Sequence, residues 1–246
     1  MANLFTQGTN KRGLIVYNGE ASADYGMVVS EAPSFERASR KQTVYQVPGR
    51  NGAVVFPQDA WNDVSRSYKV WIAETSGDLT EKINAFEAFL NSQSGYKRLE
   101  DSFEPNVYRL AYYSGGDSFS NEMMQYGEAT IKFTCRPERF LKDGEQVIDV
   151  VNGSKVNNPT KFNAKPLIHI EGSGTVTINI GGKLMQATVS DYINIDCESM
   201  NAYRQTAENK NGSISGEFPV IPAGVNSIAI TGTVTKCSII PRWYTI

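Results

Sequence analysis

Residues able to do chemistry are few in this chain, and their spacing argues against each reaction they suggest. The single histidine stands in Pro166-Leu-Ile-His-Ile-Glu171. Strand alternation puts Ile168 and Ile170 on one face there and His169 on the other with Leu167 and Glu171. One histidine without a cysteine pair or an acidic cluster beside it does not build a zinc site, so a strand-surface position is expected. Cys135, Cys197 and Cys237 are odd in number and far apart, each inside an alternating apolar stretch rather than a C-x-x-C pair. They are expected to be reduced core thiols. No Ser or Cys has an evident partner for nucleophilic catalysis. Asp191, Asp196, Glu198, Glu208 and Glu217 are raw material for a glycosidase-like carboxylate pair, yet Asp191 and Asp196, five positions apart, fall on opposite faces of a regular strand. No glycine-rich phosphate loop joins a strand to a helix. The expectation is a chain that is not an enzyme and carries no cofactor or metal.

The elements that hold these residues belong to a folded, β-rich protein. In 246 residues, 40% hydrophobic content with 12 Tyr, 11 Phe and 3 Trp supplies enough apolar surface for one large domain or two small ones. A formal charge of -2 gives no field to condense on nucleic acid or an anionic membrane. The opening MANLFTQGTNKRG lacks the apolar segment of a signal peptide, and no uncharged apolar run approaches the roughly 18 residues of a membrane span. A soluble, non-secreted protein is expected.

Charge density falls along the chain, and the later part is rich in Ser, Thr, Asn and Gly. Between the two parts lies Arg136-Pro-Glu-Arg-Phe-Leu-Lys-Asp-Gly-Glu145, where Pro137 and the Asp143-Gly144 turn are expected to end a strand. The boundary is placed near residue 142, giving domains 1–142 and 143–246. In the first, Leu79, Ile83, Phe86 and Leu90 fall at helical spacing with Phe89 beside them. Asp78 and Glu81 form a capping-box pattern and Gly95 a stop, which predicts a helix over about 79–94. Leu14–Tyr17, Val107–Tyr113 and Glu128–Cys135 read as strands, so the domain is a β-sandwich or a sheet with a docked helix. In the second, Gly174–Ile180 alternates and turns at Gly181-Gly182 into Lys183–Val189. Asp191–Cys197, Asn226–Val234 and Lys236–Tyr244 continue as short strands, the pattern of an all-β sandwich.

Residues 32–61 do not read as core. Two short apolar runs flank Pro48-Gly-Arg-Asn-Gly52, the signal of a projecting hairpin, with Arg37, Arg40 and Lys41 on its approach. Either its apolar positions pack on their own domain, or it is an arm that packs on a neighbouring subunit. Residue types alone leave both open.

The order of features resembles the distal tail protein family of long-tailed phages. It is carried by Leu14-Ile-Val-Tyr-Asn-Gly19, Val47-Pro-Gly-Arg-Asn-Gly52, the amphipathic helix, Phe133-Thr-Cys-Arg-Pro137, Asn158-Pro-Thr160, Pro166-Leu-Ile168, Phe218-Pro219, Gly224 with Asn226, and Pro241-Arg-Trp243. The resemblance implies a β-rich, ring-forming first domain with one α-helix and a projecting arm, and a galectin-like β-sandwich after it. It implies a structural virion protein at the tail tip, made in the bacterial cytoplasm. Six copies would close a ring around a channel for DNA passage, without sequence-specific DNA contacts. The ring would join the tail tube to a tail-associated adsorption or lysin protein, with receptor-binding proteins at the periphery in some members. The arm would embrace the next subunit, through Tyr45, Val47, Val54 and Phe56 as apolar anchors, Arg37, Arg40, Lys41 and Arg50 as charges, and the Pro48–Asn51 turn. A carbohydrate-binding tail module is the alternative, with Tyr192, Tyr203 and Trp243 as rings on which a sugar could stack; alternation makes Trp243 a core residue instead.

Overall fold

The computed structural model describes residues 13–34, 36–73, 79–116, 120–122, 126–205 and 208–246. The chain divides into two compact units, residues 1–139 with 246, and residues 140–245. Both are built of curled antiparallel sheet, and α1 is the one α-helix among the described residues.

The first unit contains β1 (Ile15–Tyr17), β2 (Glu20–Ala21), β3 (Met27–Val29), β4 (Arg40–Gln46), β5 (Ala53–Trp61), β6 (Val64–Ala73), α1 (Leu79–Ser92), β7 (Lys97–Asp101), β8 (Val107–Gly116), β9 (Ser120–Glu122) and β10 (Tyr126–Leu141). Strands pair in the order β2-β1-β7-β8-β10-β6-β3, with β9 also on β10. Alternation in β10 buries Ala129, Ile131, Phe133 and Cys135 on one face, and β6 adds Tyr68, Val70 and Ile72. The helix lays Leu79, Ile83, Phe86 and Leu90 on this face; each large apolar side chain so buried contributes about 1.5–3 kcal/mol. Tyr25 stacks on Phe89 with centroids 5.4 Å apart and also packs on Phe86, adding to the contact that seats the helix on the core.

Two sequence expectations need correction here. The helix ends at Ser92, not 94: Asn91 Nδ2 donates to the Glu87 carbonyl and Ser92 Oγ to that of Phe89, so side chains satisfy the last turn and Gly95, at φ +69°, turns the chain only afterwards. Asp78 lies outside the described residues. Nor does Pro137 end its strand, since β10 runs through it to Leu141. The ladder to β6 stops at Cys135 opposite Val64, and beyond it a residue without an N–H leaves no β6 carbonyl unpaired.

A polar knot lies inside this unit. Arg66 donates to Asp101 Oδ2 at 2.6 Å and to the Tyr68 hydroxyl at 2.6 Å, and that hydroxyl donates to Asp101 at 2.7 Å. Asp101 Oδ1 accepts the backbone N–H groups of Phe103 and Glu104, both at 2.9 Å. Glu104 in turn takes ion pairs from Arg66, Arg109 and Arg139. Burial pulls the Arg66 guanidinium down, but Tyr68 and Asp101 reverse this and leave it above its ordinary value.

The second unit contains β11 (Ile148–Asp149), β12 (Lys155–Asn158), β13 (Leu167–Ile180), β14 (Lys183–Asp196), β15 (Asn201–Arg204), β16 (Glu208–Asn209), β17 (Ile214–Gly216), β18 (Gly224–Ile240) and β19 (Tyr244–Thr245). Strands pair as β11-β18-β13-β14-β15-β16, with β12 on β18 and β17 on β14. The short strands expected from spacing are halves of longer ones: β13 and β14 have 14 residues each and β18 has 17. Register shifts between β13 and β18 at Glu171/Gly172 and Ser173/Thr177 let one strand bend without ending, and Gly232 and Gly172 lie where a Cβ would strike the facing backbone. Ile168, Ile170, Val176, Ile178, Ile180, Met185, Ile193, Ile195 and Trp243 share one core.

Asn158 explains a motif that composition could not. Its amide donates to the carbonyls of Phe162 and Ile221, both at 2.8 Å, while its oxygen accepts from the Thr160 N–H and hydroxyl. Asn158-Pro-Thr160 is therefore a buried clasp between two loops. Arg242 likewise grips Asp196 through both guanidinium nitrogens, at 2.7 and 3.3 Å.

Candidate assembly interface

The segment set apart by sequence forms a structure of its own. Among the described residues, strands β4 and β5 pair with each other and join neither larger sheet. They are the core of the 32–61 arm, and six residues separate the paired Gln46 and Ala53. The turn begins with Val47-Pro48-Gly49-Arg50: the Arg50 N–H donates to the Val47 carbonyl at 3.2 Å, and Gly49 has φ +78°. Pro second and Gly third fit a type II turn. At the base, Asn62 bonds Ser39 by backbone and side chain, Arg40 lies 4.8 Å over the Trp61 ring, and the Ser65 N–H donates to Glu36 at 2.7 Å. Base contacts thus fix where the ribbon leaves the unit.

Register assigns the side chains to two faces. Tyr45 is opposite Val54 and Thr43 opposite Phe56, so Thr43, Tyr45, Val54 and Phe56 share one face, while Lys41 stands where the register shifts between Arg40 and Gln42. Tyr45 and Phe56 meet edge to face at 5.7 Å. Val44 opposite Val55 and Gln42 opposite Pro57 occupy the other. Tyr45 is 58% exposed, Phe56 55%, Val44 50% and Val55 48%. The apolar positions therefore do not pack on their own domain.

Of the ten residues marked in sequence, Tyr45, Val54 and Phe56 share that aromatic face, with Val54 partly buried, and Lys41 is exposed at the register shift near the base. Val47, Pro48, Arg50 and Asn51 form the exposed tip, Arg40 sits at the base, and Arg37 is exposed on the approach. Sequence reasoning missed Val44, Val55 and Pro57. The signal was there, in the apolar positions that alternate out of phase with Tyr45 and Phe56.

Other chemistry-bearing residues are occupied by structural partners. His169 Nδ1 lies 2.7 Å from Asn194 Oδ1 and Nε2 3.2 Å from Glu171. Cys135, Cys197 and Cys237 are free and buried; burial raises their thiols to about 11, 12 and 12. Asp191 pairs with Arg204 and Asp196 with Arg242. Burial pushes the Asp196 carboxyl up, but Arg242 and the N–H groups of Glu198 and Ser199 carry it below its ordinary value. Among the described residues no group of three or more His, Cys, Asp or Glu could hold a metal ion, and no helix is long and apolar enough to cross a membrane. Trp243 is buried, and Arg204 lies 5.1 Å over the Tyr192 ring, so neither ring is an open platform for a sugar.

No protein-family model and no curated protein matches the chain. Solved structures do. The Dit protein of phage SPP1, described as a paradigm of the hub adsorption apparatus in phages infecting Gram-positive bacteria, superposes with a TM-score of 0.75 at 14% identity, over 95% of this chain and 99% of that one. A chain of the phage P2 baseplate in its activated conformation with calcium gives 0.52 at 10% identity, over 93% and 96%. Its strontium counterpart gives 0.52 at 11% identity, over 94% and 98%. Through both of its units, this chain has the fold of phage hub and baseplate proteins.

Proposed function

We propose that the chain is a structural protein of a phage tail tip, a hub subunit whose copies close a six-membered ring through the β4–β5 ribbon. The ring surrounds a channel for DNA and joins the tail tube to the adsorption device. The observation that carries this reading is a fold shared over 95% of this chain with the hub protein of phage SPP1. The exposed ribbon supports it: a ring closed by rotation needs a donor patch and a distinct acceptor on each copy, and a ribbon apolar on both faces is such a donor. A net charge of -2 also suits a passage through which DNA slides, since counterion release would not hold it there.

Native mass spectrometry and negative-stain imaging of the purified chain test the proposal. Closed rings with a central hole are expected. Deleting residues 46–55 should leave circular dichroism and melting of both units intact and yield monomers in light scattering. Rings of unchanged mass from that variant would show that the ribbon is not the joint; a wild-type chain that stays monomeric at high concentration would overturn the hub reading.

A further inference from the structure

If the ribbon joins copies, some surface of the neighbour must receive it, and among the described residues the first unit offers two exposed apolar patches on its sheet. One is Tyr96 with Tyr112, 5.4 Å apart edge to face, with the Arg136 guanidinium 4.8 Å over the Tyr96 ring. The other lies on the face of β3, β6 and β10 turned away from the core. Val28 is opposite Trp71, and Trp71 is opposite Glu128; Tyr126, two residues from Glu128, shares that face. Val28 and Trp71 are each 38% exposed and Tyr126 is 37%. Glu31 and Glu128 edge this patch, with Lys69 between them at 3.2 and 3.6 Å.

Charge decides between the two. The 32–61 segment carries four basic residues, Arg37, Arg40, Lys41 and Arg50, against two acidic ones, Glu36 and Asp59. At the Tyr96 patch the Arg136 guanidinium is balanced by Asp63, which accepts from the Tyr96 hydroxyl at 2.9 Å, so that patch offers this basic segment no net negative charge. The Trp71 patch has two carboxylates to one ammonium, so its rim is net negative, and juxtaposed opposite charge is what steers and registers an interface. We infer that Val28, Trp71 and Tyr126 form the seat for the β4–β5 ribbon of a second copy of this chain. The Tyr45–Val54–Phe56 face lies on Trp71, and Lys41, exposed near the ribbon's base, meets the Glu31–Glu128 rim. Aromatic anchors at such a centre dominate binding energy, and the charges set orientation.

The inference rests on the ribbon being the joint, and cysteine pairing separates the two ideas. Native cysteines are all buried, so Phe56→Cys and Trp71→Cys chains, differently tagged and mixed before assembly, can be oxidised without interference. A disulfide forms only where Cα atoms come within about 7 Å. A mixed-tag dimer on a non-reducing gel is expected, and Tyr45→Cys with Val28→Cys provides a second pair in case loss of Trp71 weakens the seat. Phe56→Cys with Tyr112→Cys is the control and should give no dimer. If wild-type assemblies form but neither seat pair joins, or the control joins instead, the seat is wrong while the ribbon reading stands. If the wild-type chain stays monomeric, both fall.

Discussion

Asp101 accepts four hydrogen bonds inside the first unit, and its side chain is 2% exposed. Asp101→Ala would take from the buried Arg66 guanidinium the nearer of its two carboxylates, leaving Glu104 at 3.3 Å, and would orphan the Tyr68 hydroxyl and two backbone N–H groups. Breaking a buried pair from one side costs about 3–5 kcal/mol, so urea unfolding should show a loss of that size. Loss below 1 kcal/mol would mean that water enters and solvates Arg66. The thiols predict a pH dependence. Their folded values of about 11 and 12 lie above the unfolded value near 8.5, so the neutral thiol is the form that the fold prefers. Their contribution is complete below the unfolded value and is lost as pH rises toward the folded one. Melting temperature should fall on the alkaline side, and thiolate absorbance should appear only as the chain unfolds; thiolate signal from folded protein at mild alkaline pH would contradict this. At this scale the sequence was informative wherever alternation decides, as for the cysteines, His169 and Trp243. It was silent on Arg66 and Asp101, which stand 35 positions apart and meet only because β6 and β7 belong to one sheet.

Among the elements, α1 was legible because its stripe is local, and the ribbon because its turn residues are. The lengths of β13, β14 and β18 were not, since a bulge looks like a strand end until the partner strand is in place. The turn between β13 and β14 gives a graded test. Gly181 and Gly182 both have positive φ, 61° and 78°, as a type I′ hairpin requires. An added Cβ at Gly181 would lie 2.5 Å from the Val220 carbonyl oxygen, whereas at Gly182 it meets nothing within 4 Å. Gly182→Ala should therefore cost only the left-handed penalty, about 1–2 kcal/mol, and Gly181→Ala more. Equal losses in thermal melts would show that loop 220–222 yields freely.

For the molecule as a whole, each unit has its own core, so a fragment of residues 140–246 should fold alone and show one cooperative melting transition. A fragment without dispersed amide resonances would mean that this unit needs the rest of the chain. Composition had pointed to two parts, but the presence of a core in each depends on residues brought together from distant strands. The exposed faces behind the proposed assembly were legible even less. No local pattern says that Tyr45 and Phe56 face solvent, or that Val28 and Trp71 stand on the same side of a sheet as Glu128.

If copies join through the ribbon as proposed, its lack of cover on its own unit would also shape the population of partial assemblies. An open string of any number of copies keeps one unfilled ribbon at one end and one unfilled seat at the other. Adding a copy fills one joint and costs the freedom of a whole molecule, while closing the string fills a joint between ends already tethered, at a high effective concentration. Intermediates short of closure should therefore be scarce, with single copies and complete rings dominating a dilution series. The wet, apolar face of each lone copy would make the free subunit, and not the finished ring, the species prone to nonspecific association.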